Sequence, residues 1–376
     1  MTRSVRFLQF GDVHLGTAFR GSGFSKQAAD RRAHELLATF RKACESALEH
    51  AVDFISITGD LFEGIFIDDG HLQEIKAMFK ELAPLPILIT PGNHDPLTVD
   101  SPYRRVDWGS HVHIYGPQVE RVELMGGICG VWGFGYPSTI QRENPYRNLR
   151  LADSESIEIV MIHGSVDAPE GSPYLPISRA EIRRIGADYA ALAHYHQKEM
   201  IWEEAGRIRA AYSGSLEPLG FDELGEHGAF LVEAEKGGAR LTWLPLAKRS
   251  YQMREIDVTG CESVREITSR AREAIPADEW ERNLIRIRLV GSLDAGIDLE
   301  HLKREWSESG FWIQVENDTR LDYDLDSYTP ESIHGRFVKL MRERIVAEPD
   351  ERRKEVLELA LTIGLDALTY GRVINR

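Results

Sequence analysis

Cysteine is scarce in this sequence, and its scarcity excludes two classes of protein. The 376 residues include only three cysteines, Cys44, Cys129 and Cys261, which lie far apart along the chain. They form neither the paired framework of a disulfide-rich domain nor a C-x-x-C metal motif. The cysteine usage therefore predicts reduced thiols in a cytoplasmic protein.

Long apolar runs and an excess of basic residues are also lacking. No apolar stretch approaches the roughly 20 residues of a membrane-spanning helix, and the opening MTRSVRFL has no signal-peptide pattern. We therefore expect neither a membrane span nor a signal peptide. The formal net charge of −15 argues against a protein that coats nucleic acid by bulk electrostatic attraction. It does not exclude an enzyme that holds nucleic acid through metal ions and a local basic patch.

The first half of the chain alternates short apolar runs with amphipathic segments. Apolar runs predict strands at Val5–Phe10, Phe54–Thr58 and Ile87–Thr90. Apolar residues at helical spacing predict helices over 27–50 and 72–82, between these strands. Such strand–helix–strand alternation predicts an α/β sandwich with a partly parallel sheet.

The pattern changes twice further along the chain. Two more buried strands are predicted at 157–162 and Tyr189–Ala193, followed by antiparallel strands over 199–246. From about residue 251 the sequence alternates strand, helix, strand, helix and strand, and after residue 330 it is charged and helical. These changes predict three parts of the chain, with the bounds 1–248, 249–325 and 326–376.

Polar side chains follow five of the predicted strands, always at the carboxyl end. These residues are Asp12 and His14, then Asp60, then Asn93, His94 and Asp95, then His163, and finally His194 and His196. In open α/β sheets, ligands bind in the crevice beyond the carboxyl ends of the strands. Each short motif alone is also typical of a plain turn, but the five together predict one site.

The residue types at this predicted site indicate its chemistry. Carboxylate, imidazole and amide groups without thiolate are ligands for Mn²⁺, Fe²⁺ or Zn²⁺. They differ from the cysteine-rich ligand set of a structural zinc site. The seven potential ligands are Asp12, His14, Asp60, Asn93, His163, His194 and His196. Seven ligands are too many for one ion, and two ions that share a bridging carboxylate account for them. Two ions about 3.5–4 Å apart form a centre for phosphoester hydrolysis.

These motifs resemble the calcineurin-type metallophosphoesterase superfamily, whose pattern is D-x-H, GD, GNHD, H and G-H-x-H. The chain matches every element except the last glycine, which is Ala193 and bears no ligand. The stretches GDVHLG, DFISITGDLF and YSGSLEPLGFDELGEHGAFLVE are similar to a narrower branch, the SbcD/YhaO-type DNA repair exonucleases. Proteins of this branch work beside an SMC-like coiled-coil ATPase.

The resemblance implies a fold and a role for each site residue. The implied fold is a metallophosphoesterase α/β sandwich of two mixed sheets flanked by helices, with a smaller α+β DNA-capping domain and a helical C-terminus. One metal would be held by Asp12, His14, Asp60 and His196, and the other by Asp60, Asn93, His163 and His194. His94 would be catalytic, protonating the leaving oxygen or stabilising its charge, and Asp95 would orient it by a hydrogen bond. Both ions are expected to be divalent, with Mn²⁺ favoured over Fe²⁺, Mg²⁺ or Zn²⁺.

One position departs from the related archaeal and eukaryotic nucleases. After GDLF those proteins often carry a histidine that is thought to shape exonuclease activity, whereas this chain has Glu63. The departure leaves open whether exonuclease or endonuclease activity dominates.

The sequence thus predicts a Mn²⁺-dependent hydrolase that acts as a DNA repair exonuclease or endonuclease subunit. The alternative is a small-molecule phosphodiesterase or phosphatase on the same fold, and a third hypothesis is a non-catalytic scaffold that docks an ATPase. The expected partners are DNA, an SbcC-type SMC-like ATPase and a second copy of the chain. For a homodimer the candidate surfaces are the helix around 36–48 and the apolar stripe of 72–82, but packing in the core is the favoured interpretation of each stripe. The candidate docking site for the ATPase is the last helix, 351–371, whose apolar stripe is Val356, Leu359, Ala360, Ile363 and Leu368. Packing of this helix on the body of the protein is an equal alternative.

Overall fold

The chain forms two compact units, Met1–Ser250 and Tyr251–Arg376. The computed structural model describes residues 3–19, 24–64, 67–152, 154–169, 171–294, 297 and 299–370. The three-part division predicted from the sequence, with a separate helical part from residue 326, stays a prediction.

A curled sheet of 12 strands lies at the centre of the first unit. The strands of this unit, including the separate short pair β8 and β9, are β1 Val5–Phe10, β2 Phe54–Thr58, β3 Ile87–Thr90, β4 Val112–Ile114, β5 Glu120–Leu124, β6 Cys129–Gly133, β7 Ile157–His163, β8 Ser165–Val166, β9 Pro176–Ile177, β10 Tyr189–Ala193, β11 Glu199–Glu204, β12 Arg207–Tyr212, β13 Gly228–Glu235 and β14 Gly238–Pro245. Their order is β4-β3-β2-β1-β13-β14-β12-β10-β7-β6-β5, with β11 beside β12. The α/β class is confirmed, and the hairpin of β13 and β14 joins the two halves of the expected sandwich into one hydrogen-bonded sheet.

The curl of this sheet determines where the loops meet. β1, β2 and β3 run parallel to one another, as do β7, β10 and β12. Inside the curl Phe7 stacks on Phe54 with ring centroids 4.6 Å apart, and its edge meets Tyr189 at 6.0 Å. Burying these aromatic rings favours the close approach of the two halves. The carboxyl ends of five of these strands, together with the loops that follow them, carry the predicted site residues.

The described residues of the first unit form three α-helices, α1 Lys26–Glu49, α2 Asp69–Leu82 and α3 Arg179–Ile185. Side-chain oxygens cap the first two, since Ser25 accepts from the Ala28 amide and Asp68 accepts from the His71 amide. These caps explain why α1 begins at Lys26, one residue before the predicted start, and why α2 begins at Asp69.

Most of the apolar residues on the two helices predicted for a homodimer contact lie in the core. Leu36, Phe40, Leu72 and Leu82 are at most 3% exposed, whereas Leu48 near the end of α1 is 54% exposed. An amphipathic helix on a sheet buries its apolar stripe against that sheet. Core packing, the favoured interpretation of each stripe, therefore accounts for most of these residues, and the dimer contact stays a prediction.

The second unit contains a parallel sheet and a helical hairpin. Its elements are β15 Tyr251–Asp257, α4 Val264–Ala274, α5 Ala277–Arg282, β16 Leu284–Val290, β17 Ser292–Asp294, α6 Leu299–Ser309, β18 Trp312–Asn317, β19 Arg320–Asp322, α7 Ile333–Ala347 and α8 Glu351–Tyr370. The sheet order is β15-β16-β18, and β17 pairs separately with β19. Trp280 and Trp306 meet edge to face at 5.3 Å in its core. Among the described helices of the two units, none is both long and apolar enough to cross a membrane.

A buried ionic network joins α1 to the loop that follows β12. Arg32 and Glu217 have no exposed side-chain surface, and their Nη1 and Oε1 atoms lie 2.7 Å apart. Thr39 donates a hydrogen bond to the other oxygen of Glu217, at 2.8 Å. On the same helix Glu35 binds Arg32 and, at 2.6 Å, the Nη2 atom of Arg249. The network fastens the end of the first unit to α1.

Replacing Glu217 with alanine is expected to lower the free energy of unfolding by about 3–5 kcal/mol, because the substitution breaks a fully buried ion pair and leaves Arg32 to share the carboxylate of Glu35 with Arg249. Urea denaturation of the variant and the parent protein measures the difference. Glu81→Ala is the matched control, since Glu81 is 72% exposed and lies 4.0 Å from Arg41. A loss no larger than that of the control would mean that this ion pair does not hold the loop.

Candidate metal centre

Four of the predicted site residues have an unusual backbone conformation. The φ angles of Asp12, His14, Asp60 and His194 are 48°, 53°, 50° and 106°. Residues other than glycine rarely adopt positive φ, and such strain gathers at functional sites. In each case the chain turns sharply at the end of a strand, so that the side chain faces the centre of the cluster.

Two glycines in the motifs make room for the ligand side chains. A Cβ atom on Gly59, which has a φ of 83°, would overlap the His163 ring. A Cβ atom on Gly92 would overlap the Asp60 carboxylate. The glycines of GD and GNHD are therefore required by the close approach of side chains from other loops.

The structure brings all seven predicted ligand residues together. Potential ligand atoms lie within 4.8 Å of one another in three overlapping groups, which are Asp12–His14–His196, His14–Asp60–His94 and Asp60–His163–His194. The seventh residue, Asn93, has its Oδ1 atom 3.0 Å from His163 Nε2. Asp60 shares one group with His14 and another with His163 and His194, so its carboxylate lies between histidines that the prediction assigns to different ions.

The donor atoms face one another as ligands of shared cations do. The Nε2 atoms of His14 and His196 lie 3.2 Å apart, and His163 Nε2 lies 3.2 Å from Asp60 Oδ2. His14 Nε2 is 4.0 Å from the same Asp60 oxygen. Imidazole nitrogens, carboxylates and one amide oxygen in this arrangement fit divalent cations.

The pKa values of the buried histidines reflect the nearby carboxylates. Burial lowers the pKa of His163, but the charge and hydrogen bond of Asp60, together with the charge of Asp12, raise that pKa to about 9. Burial also lowers the pKa of His196, but the hydrogen bond to Glu223 and the nearby carboxylate charges together raise it to about 9. For His194, burial and the charge of His163 lower the pKa to about 3. A neutral imidazole is the form that binds metal, and negative charge around the cluster favours a cation.

Sequence reasoning missed Glu223 as a residue of this site. Its Oε1 atom lies 2.7 Å from His196 Nδ1, and its Oε2 accepts a hydrogen bond from Ser215 at 2.7 Å. The Glu223 side chain is buried and also accepts from the Leu219 amide. In metal sites, a carboxylate that hydrogen-bonds to the ring nitrogen facing away from the metal fixes the orientation of the histidine ring. The available signal was the stretch GSLEPLGFDE, which contains both Ser215 and Glu223 and is not needed to supply ligands.

Glu63 links two histidines of the site. Its Oε2 atom is 2.6 Å from His14 Nδ1, and its Oε1 atom is 3.2 Å from His94 Nδ1. Burial raises the pKa of Glu63. The hydrogen bonds to His14 and His94 and the charges of these histidines lower it by more, so that the pKa is about 2. Glu63 is therefore ionised and holds both rings with Nε2 directed away from it.

Asp95 does not take the role that the resemblance implied. Its carboxylate accepts hydrogen bonds from the Gly92 amide at 2.7 Å, the Phe62 amide at 3.1 Å and the Tyr103 hydroxyl at 2.5 Å. Burial and the charge of nearby Asp60 raise the pKa of Asp95 to about 6. Asp95 fixes the turn that carries His94, whereas the ring of His94 is oriented by Glu63.

Comparison with known families matches residues 5–198 to the family described as calcineurin-like phosphoesterase. The match contains all seven predicted ligand residues together with His94 and Asp95. This chain belongs to the calcineurin-like phosphoesterase family.

The chain is also similar to individual proteins along most of its length. It is 23% identical over 353 residues to the uncharacterized metallophosphoesterase YhaO of Bacillus subtilis, covering 88% of this chain and 86% of that one. It is 26% identical over 388 residues to the DNA double-strand break repair protein Mre11 of Methanopyrus kandleri, covering 94% and 72%. For Mre11 of Sulfurisphaera tokodaii the identity is 23% over 397 residues, covering 96% and 98%. The resemblance to the YhaO-type branch of DNA repair nucleases is confirmed.

Replacing Glu223 with glutamine is expected to weaken metal binding about 10-fold to 100-fold, because an amide orients and polarises His196 less well than a carboxylate. Titration of the metal-free protein with Mn²⁺ measures the affinity. Glu226→Gln is the control, since Glu226 is 68% exposed and pairs only with Lys198, at 3.7 Å, among the described residues. Equal affinity in the two variants would remove Glu223 from the site.

Proposed function

We propose that this protein is a DNA nuclease that hydrolyses phosphodiesters with two divalent metal ions, Mn²⁺ being the expected metal. The observation that carries the proposal is the position of Asp60, whose carboxylate lies within 4.8 Å of potential ligand atoms of His14 and His94 on one side and of His163 and His194 on the other. One ion would be held by Asp12, His14, Asp60 and His196, and the other by Asp60, Asn93, His163 and His194. When bound, such ions supply Lewis-acid activation of water and of the phosphoryl oxygens.

His94 is the catalytic residue that the proposal places against the leaving oxygen. Its side chain is 42% exposed, whereas those of His14 and His163 are at most 2% exposed. Its amide donates a hydrogen bond to Asp60 Oδ1 at 2.8 Å, which holds it beside the ligand groups. With Nδ1 held by Glu63, the Nε2 atom is left for the substrate, where it protonates the leaving oxygen or stabilises its charge.

DNA is the favoured substrate because of the relatives and the length of the chain. The Mre11 relatives are named for DNA double-strand break repair. The similarity extends over the second unit, which hydrolysis of a small phosphoester would not require. These observations favour a DNA repair nuclease over a small-molecule phosphodiesterase.

A nuclease assay tests the proposal. The purified protein is incubated with end-labelled duplex and single-stranded DNA, with Mn²⁺, with Mg²⁺ and with chelator. We expect cleavage that requires the metal, and the ladder of products gives the polarity. Turnover of a small phosphodiester without cleavage of any DNA would favour the alternative enzyme or a nuclease that needs its partner.

The exposed face of α8 supports the proposal of an SMC-like coiled-coil ATPase as partner. Val356, Leu359 and Ile363 are 64%, 48% and 39% exposed, while Leu361 and Leu365 on the opposite face are buried with α7. An amphipathic helix with a second apolar face is suited to pairing with further helices. The homodimer stays a prediction without an assigned surface.

Replacing Leu359 with aspartate is expected to weaken the affinity for the ATPase at least about tenfold. The reason is that burying a charge in a helix contact costs more than about 1.4 kcal/mol, the free energy of a tenfold change in affinity. The two subunits are expressed together, and the fraction in the complex is measured by sedimentation. Val99→Asp is the control, since Val99 is 86% exposed and lies in the first unit. Unchanged complex formation in Leu359→Asp would rule out docking on this face.

A further inference from the structure

Two exposed tyrosines flank His194 at the metal centre. The Tyr174 ring centroid lies 5.0 Å from that of His194, and the Tyr195 centroid lies 5.4 Å from it. The two tyrosines are 37% and 42% exposed, whereas Tyr136, which packs beside His163, is fully buried. Aromatic surface is thus offered to solvent directly beside the ligand groups.

The Tyr195 ring rests on a fixed support. Its ring meets the ring of Tyr212 at 5.1 Å with an interplanar angle of 72°. Tyr212 is buried, donates its hydroxyl to the Gly164 carbonyl at 2.7 Å and accepts from the Val166 amide at 2.9 Å. Because Tyr212 cannot move without losing these bonds, Tyr195 keeps its position when a ligand arrives.

The backbone of Tyr174 is held equally firmly. The Ser165 amide donates to the Tyr174 carbonyl at 3.0 Å, and the following Leu175 amide donates to the Gln141 carbonyl at 2.6 Å. Leu175 itself is 1% exposed. The loop therefore presents the Tyr174 ring from a fixed point.

Tyr174 and Tyr195 are suited to contact a ligand through their aromatic rings and not through their hydroxyl groups. Among the described residues, none hydrogen-bonds to the hydroxyl of Tyr174 or Tyr195. The buried tyrosines differ, since Tyr146 donates to the Met161 carbonyl and Tyr189 donates to Gln9. An exposed aromatic face with a solvated hydroxyl is suited to stacking on another flat ring.

We propose that Tyr174 and Tyr195 form a stacking site for an unpaired nucleobase next to the scissile phosphate. This inference rests on the proposed nuclease function and deepens it. Every base has a face that can stack on an aromatic side chain, so the site would be tolerant of sequence. A base inside a duplex is stacked and paired already and must leave the helix to use such a site. The enzyme would consequently prefer single-stranded or frayed ends.

Chromogenic esters isolate the contribution of the base. The substrates are the 3′- and 5′-(p-nitrophenyl phosphate) esters of thymidine and the same esters of deoxyribose without a base. For the wild-type protein we expect kcat/KM to be about 5-fold to 150-fold higher with the base, the range of stacking on an aromatic side chain. The ester with the larger ratio identifies the side of the scissile phosphate on which the base lies.

The Tyr174→Ala/Tyr195→Ala double variant is expected to reduce this ratio to about one while keeping its activity on the base-free ester. The Tyr174→Phe/Tyr195→Phe variant is the matched control and should keep the wild-type ratio, because it retains both rings. Activity on the base-free ester also reports that each variant is folded and binds metal.

Two outcomes would overturn the proposal. An equal loss on both esters in the alanine variant would mean that the tyrosines only position His194. A wild-type ratio near one would mean that no base is bound here. Both results leave the nuclease function intact if the wild-type protein cleaves DNA, and only a failure of that separate assay would count against the nuclease itself.

Discussion

Asp60→Asn is expected to abolish phosphoester hydrolysis and to deprive the protein of bound metal. Asp60 is 1% exposed and belongs to two of the three groups of potential ligands. An amide has one oxygen donor and no charge, so it cannot bridge two cations as a carboxylate does. Because metal ions contribute several kcal/mol to stabilising the transition state, the rate should fall by about 10³-fold or more.

The test for Asp60 measures metal content and activity on the same sample. Elemental analysis after loading with Mn²⁺ and gel filtration is expected to give two ions per chain for the wild-type protein and fewer for the variant. The control is Asp100→Asn, an exposed aspartate outside the ligand groups. A variant that keeps both the wild-type metal content and the wild-type rate would contradict the bridging position of Asp60.

His94→Ala is expected to lower the rate of DNA cleavage by about 10²-fold to 10⁴-fold, the usual contribution of a general acid or base. The metal content should stay unchanged, because the proposed ligands are all retained. Loss of rate without loss of metal separates His94 from Asp60. His34→Ala is the control, since His34 lies on the exposed side of α1 and its ring contacts the Asp30 carbonyl.

A second substrate distinguishes the two roles proposed for His94. The p-nitrophenolate group leaves without protonation, whereas the sugar oxygen of DNA requires a proton. If His94 acts as an acid, the variant should lose much less activity on a p-nitrophenyl ester than on DNA. Equal losses on both substrates would instead assign His94 to stabilising charge in the transition state.

The ligand set could be predicted from the sequence because the information is local. Asp12 and His14 directly follow β1, Asp60 follows β2, and His194 follows β10, so each side chain is placed by the strand before it. Parallel strands bring their carboxyl ends to a common edge, which is why residues far apart in the chain could be assigned to one site. The α/β class followed from the same alternation of strands and helices.

The contacts that orient these side chains could not be predicted. Asp95 adjoins His94 in the chain, yet its carboxylate turns inward to Tyr103, and the partner of His94 is Glu63, 31 residues away. Neighbouring residues in a tight turn point in different directions, and the hydrogen bond that the resemblance implied between Asp95 and His94 does not form. The three-dimensional course of two loops determines this hydrogen bond.

Contacts between residues far apart in the chain form only because the sheet curls. Whether the stripe of α2 faced a partner or the core could not be read from its periodicity, because both require the same apolar spacing. The hydrogen bonds of Glu223 to His196, 27 residues away, and of Glu217 to Arg32, 185 residues away, form only after the sheet has closed. The sequence by itself therefore determined which chemical groups reach the site. Only the tertiary structure decided how they are held, since packing between distant segments fixes side-chain orientation.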